Sequence, residues 1–196
     1  MFQIRFHGRG GQGVVTAAEM LSVAAFLEGR FAQAFPSFGS ERMGAPVISY
    51  CRIDDKEIRL REPIGEPDAV IIQDPTLLNS VNVFAGLKTD GYLLINSTQS
   101  FKELGIDDFV KKFSPEKVGR VPATELALEH IGRPVPNAAL LGGLAAMTGI
   151  ISQDSVIRAI KQKFSGRVAE ANITVVKLAY EFANTQFAKS DGEASC

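Results

Sequence analysis

The passage from FQIRFH through GRGGQG into VVTAAEMLSVAAFLEG constrains this chain more than any other. Residues 2–7 alternate apolar and polar, the period of a strand. The run after the loop is apolar nearly all round, which predicts a buried helix closed by Gly29. Between them, Gly8, Arg9, Gly10, Gly11, Gln12 and Gly13 fit G-x-G-x-x-G in the strand-to-helix position where that pattern has a use. Glycines there let the backbone turn sharply and let a phosphate come close, while the first amides of the helix face the anion. The same glycines can serve only to bring helix and strand together. From the residues alone, both readings stand.

The rest of the chain extends this unit into an α/β fold with one mostly parallel sheet, an inserted antiparallel hairpin and a helical C-terminal part. FAQAF is a second short strand, stopped by Pro36, and residues 37–45 form a loop carrying Glu41 and Arg42. VISYCRI and EIRLR flank Asp54, Asp55 and Lys56, which predicts the hairpin. DAVIIQ, GYLLINS and KVGRVPA read as further strands, separated by PTLLNSVNVFAG and FKELGIDDFVKKF as helices. TELALEHIG, NAALLGGLAAMTGI, SQDSVIRAIKQKF and RVAEANITVVKLAYEFANTQFA follow as helices only. NAALLGGLAAMTGI is too apolar to lie open, so it is either buried in the chain's own core or covered by a partner. At 196 residues and 45% hydrophobic, the chain suits one domain, residues 1–188, with a polar tail at 189–196.

Charge and cysteine content exclude several classes. A net charge of -1 offers no basic excess for nucleic acid or an anionic membrane. No run reaches the roughly 18 apolar residues of a membrane helix, and the start of the chain reads as a strand, so a cytoplasmic protein is expected. Cys51 and Cys196 are too few for a disulfide scaffold or a four-thiolate cluster. His7 and His130 have no third ligand beside them, so no metal site is expected.

The glycine loop could suggest a nicotinamide enzyme, but that needs an acid after the second strand to hold the ribose. FAQAF ends in Phe35, Pro36 and Ser37, and Glu28 belongs to the end of the first helix. Asp74, ahead of Pro75, reads as a helix cap, as does Asn137 after Pro136. Asn172 is an ill-suited residue inside a helix and marks a possible contact surface. The G-x-S-x-G elbow is absent.

The opening IRFHGRGGQG, then QAFPSFGSERMGAPV, then IDDKEIRLR, and again residues 136–142, together resemble the gamma subunit of pyruvate and related 2-oxoacid:ferredoxin oxidoreductases. The resemblance runs over the whole chain. It implies a gamma-type subunit that is inactive alone, has no catalytic residue of its own and works with alpha, beta and ferredoxin-like delta subunits. It places thiamine diphosphate, Mg and iron–sulfur clusters on those partners, with none bound by this chain alone. The assembled enzyme would oxidise a 2-oxoacid to acyl-CoA and CO2 while reducing ferredoxin. The likeness of FGSERMGAP points to pyruvate. Residues 8–13 together with Arg42 are then candidates for part of the CoA site. The alternatives are a free-standing nicotinamide- or flavin-binding enzyme and a noncatalytic α/β interaction module.

Overall fold

The computed structural model describes residues 1–37 and 43–193, with the backbone alone for 187–193. Six strands form one sheet in the order β2-β3-β1-β4-β5-β6. They are β1 (Phe2–Arg9), β2 (Phe31–Pro36), β3 (Pro46–Asp54), β4 (Ala69–Ile72), β5 (Tyr92–Asn96) and β6 (Val118–Val121). β1, β4, β5 and β6 run parallel, while β3 is antiparallel to both β1 and β2.

Each strand sends alternate residues to opposite faces, and both faces are covered. Ile4, Phe6, Cys51, Ile71 and Leu94 pack under the helices α1 (Val14–Leu27), α3 (Ala123–Ile131), α4 (Asn137–Thr148), α5 (Gln153–Lys163) and α6 (Gly166–Glu193). Val70, Ile72, Leu93 and Ile95 pack on the other face under Leu77, Val83, Ile106 and Val110. There Phe84 and Phe109 stack with ring centroids 4.1 Å apart.

α4 lies in the middle of the helical layer and is buried along nearly all its length. Its glycines let neighbouring backbones come close: a methyl group on Gly142 would strike the carbonyl of Val176 in α6. The apolar run NAALLGGLAAMT therefore belongs to the chain's own core and is not an uncovered docking face.

The antiparallel hairpin is present with different partners from those expected. VISYCRI pairs with FAQAF as β3 and β2, and residues 57–61 form no strand. β3 already has β1 on one edge and β2 on the other, so EIRLR has no edge of β3 to join. PTLLNSVNVFAG makes only a 3-10 turn, Pro75–Asn79, followed by irregular backbone. The cause is Arg5, buried at 6% exposure, which donates to the carbonyls of Val83 at 3.1 Å and Ala85 at 2.5 Å. A continuous helix would consume those carbonyls internally. FKELGIDDFVKKF shrinks to α2 (Asp107–Val110), because Gly105 adopts φ 72° and breaks the run. α6 continues to Glu193, past Lys189 where the polar tail was expected to begin.

Candidate functional site

In an open α/β sheet, ligands bind beyond the carboxyl ends of the strands where the connections leave in opposite directions. That point lies here between β1 and β4. β1 leaves through α1 towards β2, on the helical face, while β4 leads through its turn to β5 on the other face. Residues 8–13 sit at this crevice, together with Gln73 and Asp74 from the end of β4.

The glycines divide by task. Gly8 has no room for a side chain: a methyl group there would lie 2.6 Å from Cγ2 of Val14 and 3.2 Å from Cβ of Gln73. Gly13 takes φ 73° ahead of α1, and a methyl group there would lie 2.5 Å from Nδ2 of Asn137. These two glycines serve close packing. Gly10 and Gly11 face outward, Gly11 with φ 95°, and Gly10 bonds the segment entering β3 through the carbonyl of Ala45 at 2.9 Å. Beside them opens a cleft of about 310 Å³, lined by Arg9, Gly10, Gly11, Val15, Thr16 and Val47 among others. The N–H groups of Val14, Val15 and Thr16 belong to the first turn of α1 and bond no backbone carbonyl among the described residues. The cleft thus combines backbone donors with apolar walls, which suits an anion carried on an organic arm.

Arg9 is not free to grip that anion. Its Nε is 3.2 Å from Oδ2 of Asp74, and its NH2 donates to Oγ1 of Thr76 at 2.8 Å. Its NH1 donates to the carbonyl of Gly44 at 3.0 Å. Gln12 folds back on the loop: Oε1 accepts the N–H of Arg9 at 2.8 Å, and Nε2 donates to Oδ2 of Asp74 at 2.8 Å. Partial burial, the largest single influence on Asp74, acts to raise its pKa. Hydrogen bonds from Thr76 and Gln12 and the charge of Arg9 outweigh it and hold the carboxyl below its usual range. Arg42, the remaining candidate, lies outside the described residues, as do Glu41 and Cys196.

The other candidates resolve into structural parts. His7 is 2% exposed and accepts a hydrogen bond at Nε2 from Nε of Arg5 at 2.9 Å. Burial first, and the Arg5 charge second, pull its pKa down to about 3, so the ring is neutral. Asp74 caps its 3-10 turn as expected, accepting from the N–H of Thr76 at 3.0 Å. Asn137 does not cap α4 as expected. Pro136 occupies that place, and the Asn137 side chain instead accepts from Ala138 N–H at 2.8 Å and faces the carbonyl of Gly13 at 3.5 Å. It ties the start of α4 to the start of α1. Asn172 donates to the carbonyl of Val168 one turn back and is buried, which leaves it no outward contact to make.

Glu28 sits at the far end of α1, about 20 Å along the helix from the glycine loop by its rise per residue. There it accepts from Ser152 N–H at 2.8 Å and Ser155 Oγ at 2.6 Å. Among the described residues no acid follows β2 to hold a nicotinamide ribose, and the topology moves that strand away from the loop. The strand beside β1 is β3 rather than β2, and Val47 at its start lines the cleft. Cys51 is fully buried, with its thiol pushed up by burial, and does not fit a cluster ligand. Among the described residues no three His, Cys, Asp or Glu side chains converge as metal ligands, and no helix is long and apolar enough to cross a membrane.

Asp74 as an anchor of the loop was not foreseen from sequence. Neither was Gln73, which is fully buried with neither carboxamide atom bonded among the described residues. Only the contrast of a polar pair following the run AVII hints at them.

A family model for pyruvate ferredoxin/flavodoxin oxidoreductase matches residues 3–182. The chain is 49% identical over 181 residues to the pyruvate/ketoisovalerate oxidoreductases common subunit gamma of Pyrococcus furiosus, covering 92% of this chain and 96% of that one. It is 49% identical over 180 residues to pyruvate synthase subunit PorC of Methanocaldococcus jannaschii, again covering 92% of this chain and 96% of the relative. Among solved structures, pyruvate oxidoreductase subunit PORC from Thermotoga maritima superposes with a TM-score of 0.77 at 37% identity, covering 92% of this chain and 95% of that one.

Proposed function

Because the chain belongs to the pyruvate ferredoxin/flavodoxin oxidoreductase family, as a gamma-type subunit, we propose that it forms part of the CoA path of a thiamine-diphosphate-dependent 2-oxoacid:ferredoxin oxidoreductase. The observation that carries this reading is the cleft at the glycine loop, where first-turn amides of α1 that are unbonded among the described residues meet apolar walls. Amides at a helix N-terminus suit a phosphate, and Val15 and Val47 suit the arm that carries it. The cleft, at about 310 Å³, takes only part of so long a substrate. The rest is left to a neighbouring subunit.

In this reading thiamine diphosphate, Mg and the iron–sulfur clusters are held by alpha, beta and delta partners in the cytoplasm. The 2-oxoacid is pyruvate, and it is selected on those partners. The Pyrococcus relative is named as common to pyruvate and ketoisovalerate enzymes, which supports a gamma chain indifferent to the oxoacid. This chain buttresses its partners and shapes the acyl-transfer end of the reaction.

The test is made on the assembled enzyme carrying Gly11→Ala, a change that strains an exposed amide of the loop at φ 95°. The KM for CoA should rise about tenfold, the scale of losing one charge-assisted contact. The CoA-independent half-reaction, followed as slow acceptor reduction or exchange of labelled CO2, should be unchanged. Equal damage to both half-reactions would mean that the loop supports assembly and not CoA binding.

A further inference from the structure

A loop with glycine at three of its last four positions has a large conformational entropy to lose, so something must hold its shape. Its two non-glycine side chains, Arg9 and Gln12, both end on one oxygen, Oδ2 of Asp74. The other oxygen, Oδ1, takes the N–H and the hydroxyl of Thr76 at 3.0 and 2.5 Å. Thr76 Oγ1 in turn receives NH2 of Arg9, and Arg9 NH1 reaches across to Gly44. One carboxylate at the end of β4 thus joins its own turn, the glycine loop and the segment entering β3.

We propose that Asp74 is a positioning residue for the acyl-CoA-forming half-reaction: it holds the glycine loop in the form that keeps the cleft open beside the first-turn amides of α1. This rests on the reading of that cleft as part of the CoA path. Three features favour it over a plain turn cap. A cap needs only the Thr76 contacts, yet Asp74 also reaches Gln12 and Arg9 on another element. The Arg9 guanidinium is already bonded to Thr76, Asp74 and Gly44, so its charge acts through the clasp and not directly on a ligand. Arg9 also neutralises Asp74, which would otherwise repel an anion arriving at the amides beside it.

The chemistry offers a selective break. In Asp74→Asn the amide oxygen can still accept from Thr76, but the amide nitrogen cannot accept from Gln12 or pair with Arg9. The turn survives and the loop is released. Gln12→Met cuts the loop half of the clasp and leaves Asp74 and its turn intact, which keeps the test open if the first variant fails to assemble.

The experiment uses the assembled oxidoreductase with Asp74→Asn, Gln12→Met, Arg9→Ala, the Arg9→Ala/Asp74→Asn pair, and Gly11→Ala. KM for CoA and kcat are measured together with hydrogen exchange at the amides of Arg9 and Gln12 in the absence of CoA. Asp74→Asn should raise KM for CoA about tenfold with kcat nearly constant, and quicken exchange at those amides by about tenfold or more. Gln12→Met should quicken exchange at Arg9 and raise KM in the same direction. Because Arg9 and Asp74 act as one unit, the pair should cost no more than the worse single change. If Gly11→Ala raises KM while Asp74→Asn and Gln12→Met leave it within about twofold, below what one such contact supplies, the CoA reading stands and the positioning role is overturned. If none of the variants moves KM, the CoA reading falls and the proposal falls with it, whatever the exchange rates do.

Discussion

The packing of α4 on α6 can be tested at one atom. In Gly142→Ala the added methyl group meets the backbone of Val176, its carbonyl oxygen first, then C and Cα at 3.1 Å. Two effects oppose each other. Alanine favours the helix over glycine by about 1 kcal/mol. Overpacking a filled core costs about 1–3 kcal/mol, and the upper end applies because the struck atoms are main chain and cannot rotate away. The net expectation is a destabilisation of about 1–2 kcal/mol, or a Tm lower by roughly 2–8 °C for a domain of this size. Gly143→Ala is the matched control. Its methyl group meets side chains, Cγ2 of Val121 at 2.9 Å and Cδ2 of Leu94 at 3.3 Å, which can shift. It should lose less, and the two variants share any propensity gain. Thermal unfolding followed by circular dichroism, on the chain alone and in the co-purified complex, gives the comparison. A Gly142→Ala chain as stable as the parent, or more so, would refute the close approach of the two helices.

Two further outcomes follow from titratable groups. His7 is held neutral with its pKa down at about 3, so its contribution to stability is complete above the unfolded value near 6.5 and is lost as pH falls from there towards 3. His7→Gln keeps an acceptor for Arg5 and removes that group. Its unfolding free energy should fall less steeply with acidification than the parent's, and parallel curves between pH 6.5 and pH 3 would contradict the assignment. Glu28 has a lowered pKa: partial burial, the largest influence, acts upward and is outweighed by hydrogen bonds from Ser155 and Ser152 and by Arg30. Its stabilisation is present above the unfolded carboxyl value and lost as pH drops through the folded one. Glu28→Gln should cost less than about 1 kcal/mol at neutral pH, since the group is largely exposed, and the difference should close in acid. A gap that stays constant into acid would show that charge has no part in holding the start of α5.

Much of the fold was legible because single faces had single causes. AVII and LLI are apolar on both sides, the mark of central parallel strands, and β4 and β5 lie there. VVTAAEMLSVAAFL and NAALLGGLAAMT are apolar all round and are buried helices. What failed to show were the segments whose conformation is set by a distant residue. Arg5 alternates with Ile4 and Phe6 as though it faced water, yet it is buried on the second face of the sheet. Keeping its guanidinium bonded there takes the carbonyls of Ile64, Val83 and Ala85. No local pattern in PTLLNSVNVFAG announces that its carbonyls are needed elsewhere. EIRLR has the composition of a strand, and only the topology shows that both edges of β3 are taken.

The site was legible to the same depth. The glycine spacing located the loop, but the tasks of its members depend on what lies across from them. Gly8 and Gly13 are required by Val14 and by Asn137, the latter far along the chain, and Gln12 and Arg9 are turned inward by Asp74. The incomplete nicotinamide pattern has a matching cause. In the dinucleotide fold the strand that follows the first helix lies beside β1 and brings its acid to the ribose. Here that strand, β2, is displaced to the sheet edge by β3, which runs the other way and presents its start to the crevice. An acid placed after β2 would sit one strand too far from the loop, a displacement of about 5 Å for each strand crossed. At the same point β3 delivers Val47 and, just before it, Gly44, whose carbonyl closes the clasp on Arg9. The inserted antiparallel strand therefore separates β2 from the loop and supplies an apolar wall with a backbone acceptor. On the proposed CoA reading, that exchange suits a dinucleotide-type loop to a ligand gripped through amides and a hydrophobic arm.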